Sequence, residues 1–375
     1  MNNKIKPRSP ALDIIRCFAF LFVVCVHFFM NTEFYYEKVT GFPMYVMMVM
    51  RSLFIICVPL FLLLTGYLMS GKKLTLSYYG KISKTLIIYI LASVLSVIYK
   101  MIRYGQTYSL GEFIRGFFAF EHANNSWYIE MYIGLFLLCP FLNVLYHGLQ
   151  TQKKKLALIG ILLFMTALPS VVNLIIPSIM TLFNGKGYEY TFPLIPDFWE
   201  SLYSSPMTYY FIGCYLKEYP IKLKSRYIFG ISVITLLLNG TFNFLYSYGG
   251  AFKFHTLNDY QGILQVIQSV LFFTFFTNLS YSKIKPAFSK VIAKLSELTL
   301  GAYLISWIFD NYYYEFLRHN VEVMTDRLHW FPVMVILVTV SSLIVSYIMN
   351  LIYKVLSVIF IKIKSAIIKK KVTVE

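Results

Sequence analysis

The stretch PALDIIRCFAFLFVVCVHFF, Pro10–Phe29, decides the fold. It is long enough to cross a hydrocarbon core of about 30 Å, and only Asp13, Arg16 and His27 interrupt it. It is not a cleavable signal, because it outruns an apolar signal core and ends without a small-residue cleavage site. Nine further apolar stretches follow, so that spans are predicted at 11–31, 45–69, 82–101, 126–146, 155–177, 204–217, 227–247, 261–281, 296–316 and 330–361. None shows the alternating polarity of a membrane barrel strand. The fold class read from this pattern is all-α: a polytopic membrane protein of about ten helices. The whole chain, 1–375, forms one membrane domain, with basic tails at 1–10 and 362–375.

Composition agrees. Of 375 residues, 58% are hydrophobic and 14% charged, against roughly 25% charged in ordinary soluble domains. That excludes a disordered chain and a disulfide-stapled secreted domain, and argues against a soluble enzyme. The five cysteines all fall inside spans, without CxxC or a histidine at ligand spacing, so they read as small buried hydrophobes, and no metal site is expected.

The formal charge is +17, which in a soluble protein would suggest nucleic acid. Sorting the charges by loop gives another meaning. Twenty-four of the 34 basic residues fall on one set of alternating loops, from Lys4, Lys6 and Arg8 to Lys369, Lys370 and Lys371. The opposite loops hold eight, together with most acids, among them Glu33, Glu37, Glu112, Glu189, Asp197, Asp310 and Asp326. This is the positive-inside pattern, and it places both termini in the cytoplasm and the partner of the excess charge in the lipid bilayer, not in nucleic acid.

A charged group at membrane depth is a functional hypothesis by default. From Arg16 to His27 is eleven residues, about three helical turns plus 20°, and Asp13 lies about 40° from the same line. All three share one face, with His27 roughly 16 Å further along the helix than Arg16. Asp13 and Arg16, at i and i+3, can pair. Two readings stay open at this point: a catalytic stripe, or an interfacial ion pair plus a histidine satisfied by neighbouring backbone. Glu130, in WYIEMY, falls at the depth expected for His27 and is a candidate to orient it. Trp127 and Tyr128 suit an aromatic belt or a platform for a sugar ring. Arg51 reads as an interfacial anchor at the mouth of the second span.

Five motifs in order give the chain a resemblance. It resembles the bacterial acyltransferase family 3 membrane proteins over essentially its whole length. The Arg-x10-His of the first span is matched by Arg16 and His27. VPLFLLLTGYLM (Val58–Met69) is similar to the family's VPLFF-x-x-SGYL, with Thr65 in place of serine. SWYIEMYIGLFLLCP (Ser126–Pro140) and YYFIGCYL (Tyr209–Leu216) resemble two further segments. LGAYLIS (Leu300–Ser306) matches the YLIH segment except that Ser306 stands where many members have histidine. The basic pair before the third span, usually arginine, is here Lys81 and Lys84. The resemblance is to members lacking a fused extracellular hydrolase-like domain.

The resemblance implies a multi-pass enzyme of the bacterial cytoplasmic membrane. It would move an acyl group, most commonly acetyl, from cytoplasmic acyl-CoA to a hydroxyl of a surface polysaccharide or lipid-linked glycan. Arg16, Asp13, Lys81 and Lys84 would serve the donor, with Trp127 and Tyr128 facing the acceptor. His27 would act as general base with Glu130 behind it. The competing expectation is a transporter or exporter without acyl chemistry, which also uses polar residues inside spans. Oligomeric state is not readable.

Overall fold

Pro10 opens the first helix, α1 (Pro10–Asn31), at the position where a missing N–H does no harm. The computed structural model describes residues 8–167, 171–172, 205–254 and 258–372. The expectations at Lys4, Lys6, Lys186, Glu189 and Asp197, and for the end of the fifth span, lie outside the described residues.

After α1 come α2 (Gly41–Phe54) and α3 (Cys57–Met69). The second predicted span is therefore two helices with a break at Ile55–Ile56. Pro59 accounts for the break: its ring excludes the carbonyl of residue 55, and it sits in the first turn of α3 where no N–H is needed. Next are α4 (Leu76–Tyr79), a short 3-10 turn, α5 (Ser83–Tyr104) and α6 (Leu110–Phe118). The chain continues with α7 (Trp127–Gly148), α8 (Gln152–Thr166), α9 (Ser205–Glu218) and α10 (Ser225–Ser247). It ends with α11 (Ile263–Asn278), α12 (Pro286–Asn320), a 3-10 segment at Met324–Trp330, and α13 (Phe331–Val372). There is no strand among the described residues.

Seven helical stretches are long and apolar enough to cross a membrane: Pro10–Asn31, Gly41–Met69, Leu76–Tyr104, Trp127–Gly148, Ser225–Ser247, Pro286–Asn320 and Met324–Phe360. The other three predicted spans fall on α8, α9 and α11, of 15, 14 and 16 residues. The basic stretch from 362 is helical: α13 runs on to Val372, since IKIKSAIIKKKV offers no proline or glycine to stop it.

Loops assigned to one side by charge do meet. At one end, which we call the basic end, Arg8 reaches Glu297, Lys155 reaches Glu218, and Asn143 bonds the Lys72 carbonyl. At the far end Arg327 pairs with Glu33, Arg103 with Glu315, and Val39 bonds Gly250. The Arg327 guanidinium, hydrogen-bonded to Glu33, holds that carboxylate below its ordinary range. Arg327 and Arg318 also donate to the Thr32 and Asn31 carbonyls, satisfying the open end of α1.

α1 lies at the centre, packed on α2, α3, α11, α12 and α13. Phe22, Phe29, Phe54 and Phe331 interlock beside it. In α7, Pro140 cannot donate to the Phe136 carbonyl, and the Tyr78 hydroxyl does so at 2.6 Å. That link ties α4 to the middle of α7. A close helix crossing joins α3 and α9 through Gly66 and Gly213. A Cβ on Gly66 would stand 2.0 Å from the Tyr210 carbonyl oxygen, and one on Gly213 2.3 Å from that of Leu63.

Backbone cannot yield as a flexible side chain can. Gly66→Ala is expected to destabilise the protein by about 3 kcal/mol, the upper end for an overpacked site. Gly134→Ala, where an added Cβ meets nothing within 4 Å, should be neutral or slightly stabilising. Thermal unfolding of both variants in detergent checks the pair; equal melting temperatures would refute the crossing.

Candidate active site

α1 and α12 run side by side in the same direction, and three polar rungs join them. At the basic end Asp13, only 4% exposed, accepts from Arg8 Nε and Nη2 at 2.6 and 2.8 Å. Arg8 also donates to Glu297 Oε1 and the Ala293 carbonyl, at 2.6 and 2.9 Å. Its hydrogen bonds to Asp13 raise its pKa further above the ordinary arginine value, so it stays charged. Asp13 was expected to pair with Arg16. Arg16 is the weaker contact, at 3.7 Å, because Arg8 reaches the carboxylate in a fork from the preceding turn.

Arg16 makes the second rung, donating from Nη1 to Ser296 Oγ at 3.0 Å. Its half-buried side chain also lines a cavity of about 190 Å³ between α1, α3, α5, α7 and α12. Val58, Phe61 and Leu64 form one wall, and Tyr128, Tyr132 and Tyr303 the other. Val23, one turn before His27, lines it too.

His27 makes the third rung. Its Nδ1 and Asp310 Oδ2 share a hydrogen bond of 2.7 Å. With Asp310 ionised, its carboxylate can only accept, so the imidazole then carries its proton on Nδ1 and leaves the Nε2 lone pair free. Nε2 has no partner among the described residues, and His27 is half-buried. Asp310 is 1% exposed, and its Oδ1 has no partner among the described residues.

Sequence reasoning missed this carboxylate. Asp310 was counted with the acids of the far loops, yet α12 is 35 residues long and holds it inside the helix. The available signal was spacing: Asp310 stands one turn beyond Ser306, on the same face. Glu130 does not take the orienting position. It is exposed on α7. Ser306, fully buried, donates to the Tyr303 carbonyl at 2.9 Å and receives Asn125 Nδ2 at 3.3 Å. It ties the segment before α7 to α12.

The remaining candidates separate. Tyr128 lines the cavity, whereas Trp127 is exposed and stacked on Tyr260, 6.0 Å between ring centres. Lys84 is half-buried over the Tyr353 ring at 5.7 Å, within electrostatic reach of Arg8, Lys294, Lys354 and Glu297. Lys81 is exposed at the same end. Arg51 is not at a mouth. α2 begins ten residues earlier, at Gly41, and Arg51 is buried between Tyr35 and Phe252, donating to the Tyr35 hydroxyl and the Asn258 carbonyl at 3.0 and 3.1 Å.

Fold and site together define a multi-pass helical membrane protein in which three polar rungs join one helix pair. The family model Acyl_transf_3, an acyltransferase domain, matches residues 9–351, and the chain belongs to acyltransferase family 3. No curated protein and no solved structure matches the chain.

Asp13 separates two guanidinium groups in an apolar setting, so neutralising it exposes their repulsion. Asp13→Asn is expected to destabilise the protein by roughly 3 kcal/mol, while Glu130→Gln leaves stability unchanged. Thermal denaturation of both variants is the check; a stable Asp13→Asn protein would contradict the first rung.

Proposed function

We propose that the protein is an O-acyltransferase of the bacterial cytoplasmic membrane, with both termini in the cytoplasm. It transfers an acyl group, most simply acetyl, from cytoplasmic acyl-CoA to a hydroxyl of a surface polysaccharide or lipid-linked glycan. The observation that carries this reading is the His27–Asp310 pair with Nε2 free, set about 16 Å along the same helix from the arginine at the basic end.

A sugar hydroxyl is a weak nucleophile near neutral pH and needs a base within hydrogen-bond reach. In the proposed reaction His27 Nε2 takes the hydroxyl proton as the oxygen attacks the thioester carbonyl carbon. The carbon–sulfur bond then breaks, and the imidazolium returns the proton to the departing thiolate. Asp310 holds the tautomer that leaves Nε2 basic and offsets the imidazolium charge as it forms. Direct transfer suffices, and no acyl-histidine is required.

The donor phosphates would rest at the basic end on Arg16, Lys84 and Lys81, with Arg8 and Lys294 close by. Asp13 would serve the donor indirectly, by holding the arginines, since a carboxylate repels phosphate. The cavity beyond Arg16 suits the slender thioester arm. Tyr128 along the cavity and Trp127 on Tyr260 supply flat surfaces for the acceptor sugar. The exporter alternative loses its main support, because family membership assigns acyl chemistry and the paired histidine has a use in it.

With purified protein in vesicles, His27→Ala is expected to abolish acetyl transfer while acetyl-CoA still raises the melting temperature. Asp310→Asn should lower kcat by about 10²–10⁴-fold at little changed donor KM, the loss typical of a mis-set tautomer. Arg16→Lys should instead raise donor KM about tenfold, because a point charge does not replace a bidentate fork. Transfer that persists in His27→Ala would sink the assignment.

A further inference from the structure

α6 is nine residues long, too short to hold itself in water. Two features fix it. Ser109 and Glu112 close a capping box: the Ser109 N–H donates to Glu112 Oε2 at 2.8 Å, and the Glu112 N–H to Ser109 Oγ at 3.3 Å. On its inner side the His122 ring lies under Gly116, where an added Cβ would come within 2.2 Å of the imidazole. His122 Nε2 donates to the Phe113 carbonyl at 2.7 Å, and the ring sits against Phe113 and Phe117, with centres 5.6 and 5.0 Å away.

The opposite side is unpartnered. Leu110, Ile114 and Phe118, four residues apart and so within one 80° sector, are 76%, 49% and 82% exposed. Depth decides what meets them. The Tyr89 hydroxyl donates to the Phe117 carbonyl at 2.9 Å, and Tyr89 lies fifteen residues, or about 22 Å of helix, before the end of α5 at Tyr104. Lys100 reaches the His122 carbonyl at 3.0 Å. The far end of α6 therefore stands alongside α5 and not beyond it. At the same depth α5 turns Ile98, Met101 and Ile102 outward on another side, at 46%, 47% and 82% exposure, as a lipid-facing membrane span does, so the exposed apolar face of α6 lies within the apolar layer.

The geometry points to α6 as a re-entrant helix whose Leu110, Ile114 and Phe118 are immersed in the acyl chains of the leaflet at the far end. Its polar groups balance. Arg115 pairs with Glu121 at 3.0 Å, and Glu112 is spent in the capping box, so no basic face seeks anionic headgroups. The occupant is hydrocarbon, and the contact owes nothing to lipid charge. It holds whatever the acceptor of the transferred group is.

The test is fluorescence quenching in phosphatidylcholine vesicles with dibrominated acyl chains, reading the added tryptophan against the parent chain. Ile114→Trp and Phe118→Trp should each lose more than half of the added emission. Arg115→Trp, on the polar sector, should lose little. Adding phosphatidylglycerol should leave the quenching unchanged. Unquenched emission at 114 and 118, as contact with a second copy of the chain would give, overturns the proposal. So does equal quenching at all three positions, or quenching that grows with anionic lipid.

Discussion

Everything in the proposed site depends on one constraint: a polar group carried into hydrocarbon must find its partner within the protein. α1 carries Asp13, Arg16 and His27 along one line; Arg8 bridges Asp13 to Glu297 of α12, and Ser296 and Asp310 of α12 answer Arg16 and His27. These rungs set the register of the two helices as hydrophobic contact alone would not, since apolar side chains slide past one another at little cost. The same rungs fix the position of the free imidazole nitrogen. Packing register and chemistry are one arrangement here.

Much of this was legible beforehand. The seven long apolar helices and the line through Asp13, Arg16 and His27 follow from hydropathy and helical period, each a local property. The partners were not legible. Asp310 fell inside the predicted span 296–316 yet was counted with the far-loop acids, and nothing local in the sequence turns its carboxylate toward His27. Arg8 looked like one more cytoplasmic cation, yet it is the main ligand of Asp13. Glu130 was matched to His27 by depth alone, and depth does not say which side of α7 faces inward.

Proline and glycine show the same division. That Pro59 interrupts a helix is readable from the residue itself; that the Phe136 carbonyl, orphaned by Pro140, is met by Tyr78 from a distant loop is not. Gly66 and Gly213 could be recognised as small, but only the crossing of α3 and α9 explains why no methyl group fits. Local rules predict where a backbone group is left open. Tertiary contact decides what fills it.

The His27–Asp310 bond joins residues 283 positions apart. During synthesis the first helix enters the bilayer early and waits with an unmatched imidazole while most of the chain is made. The carboxylate that completes it arrives on one of the last helices. A nascent or truncated chain therefore carries the histidine without the group that sets its tautomer, and the ribosome must nearly finish its work before the dyad exists. Such long-range closure makes late assembly slow.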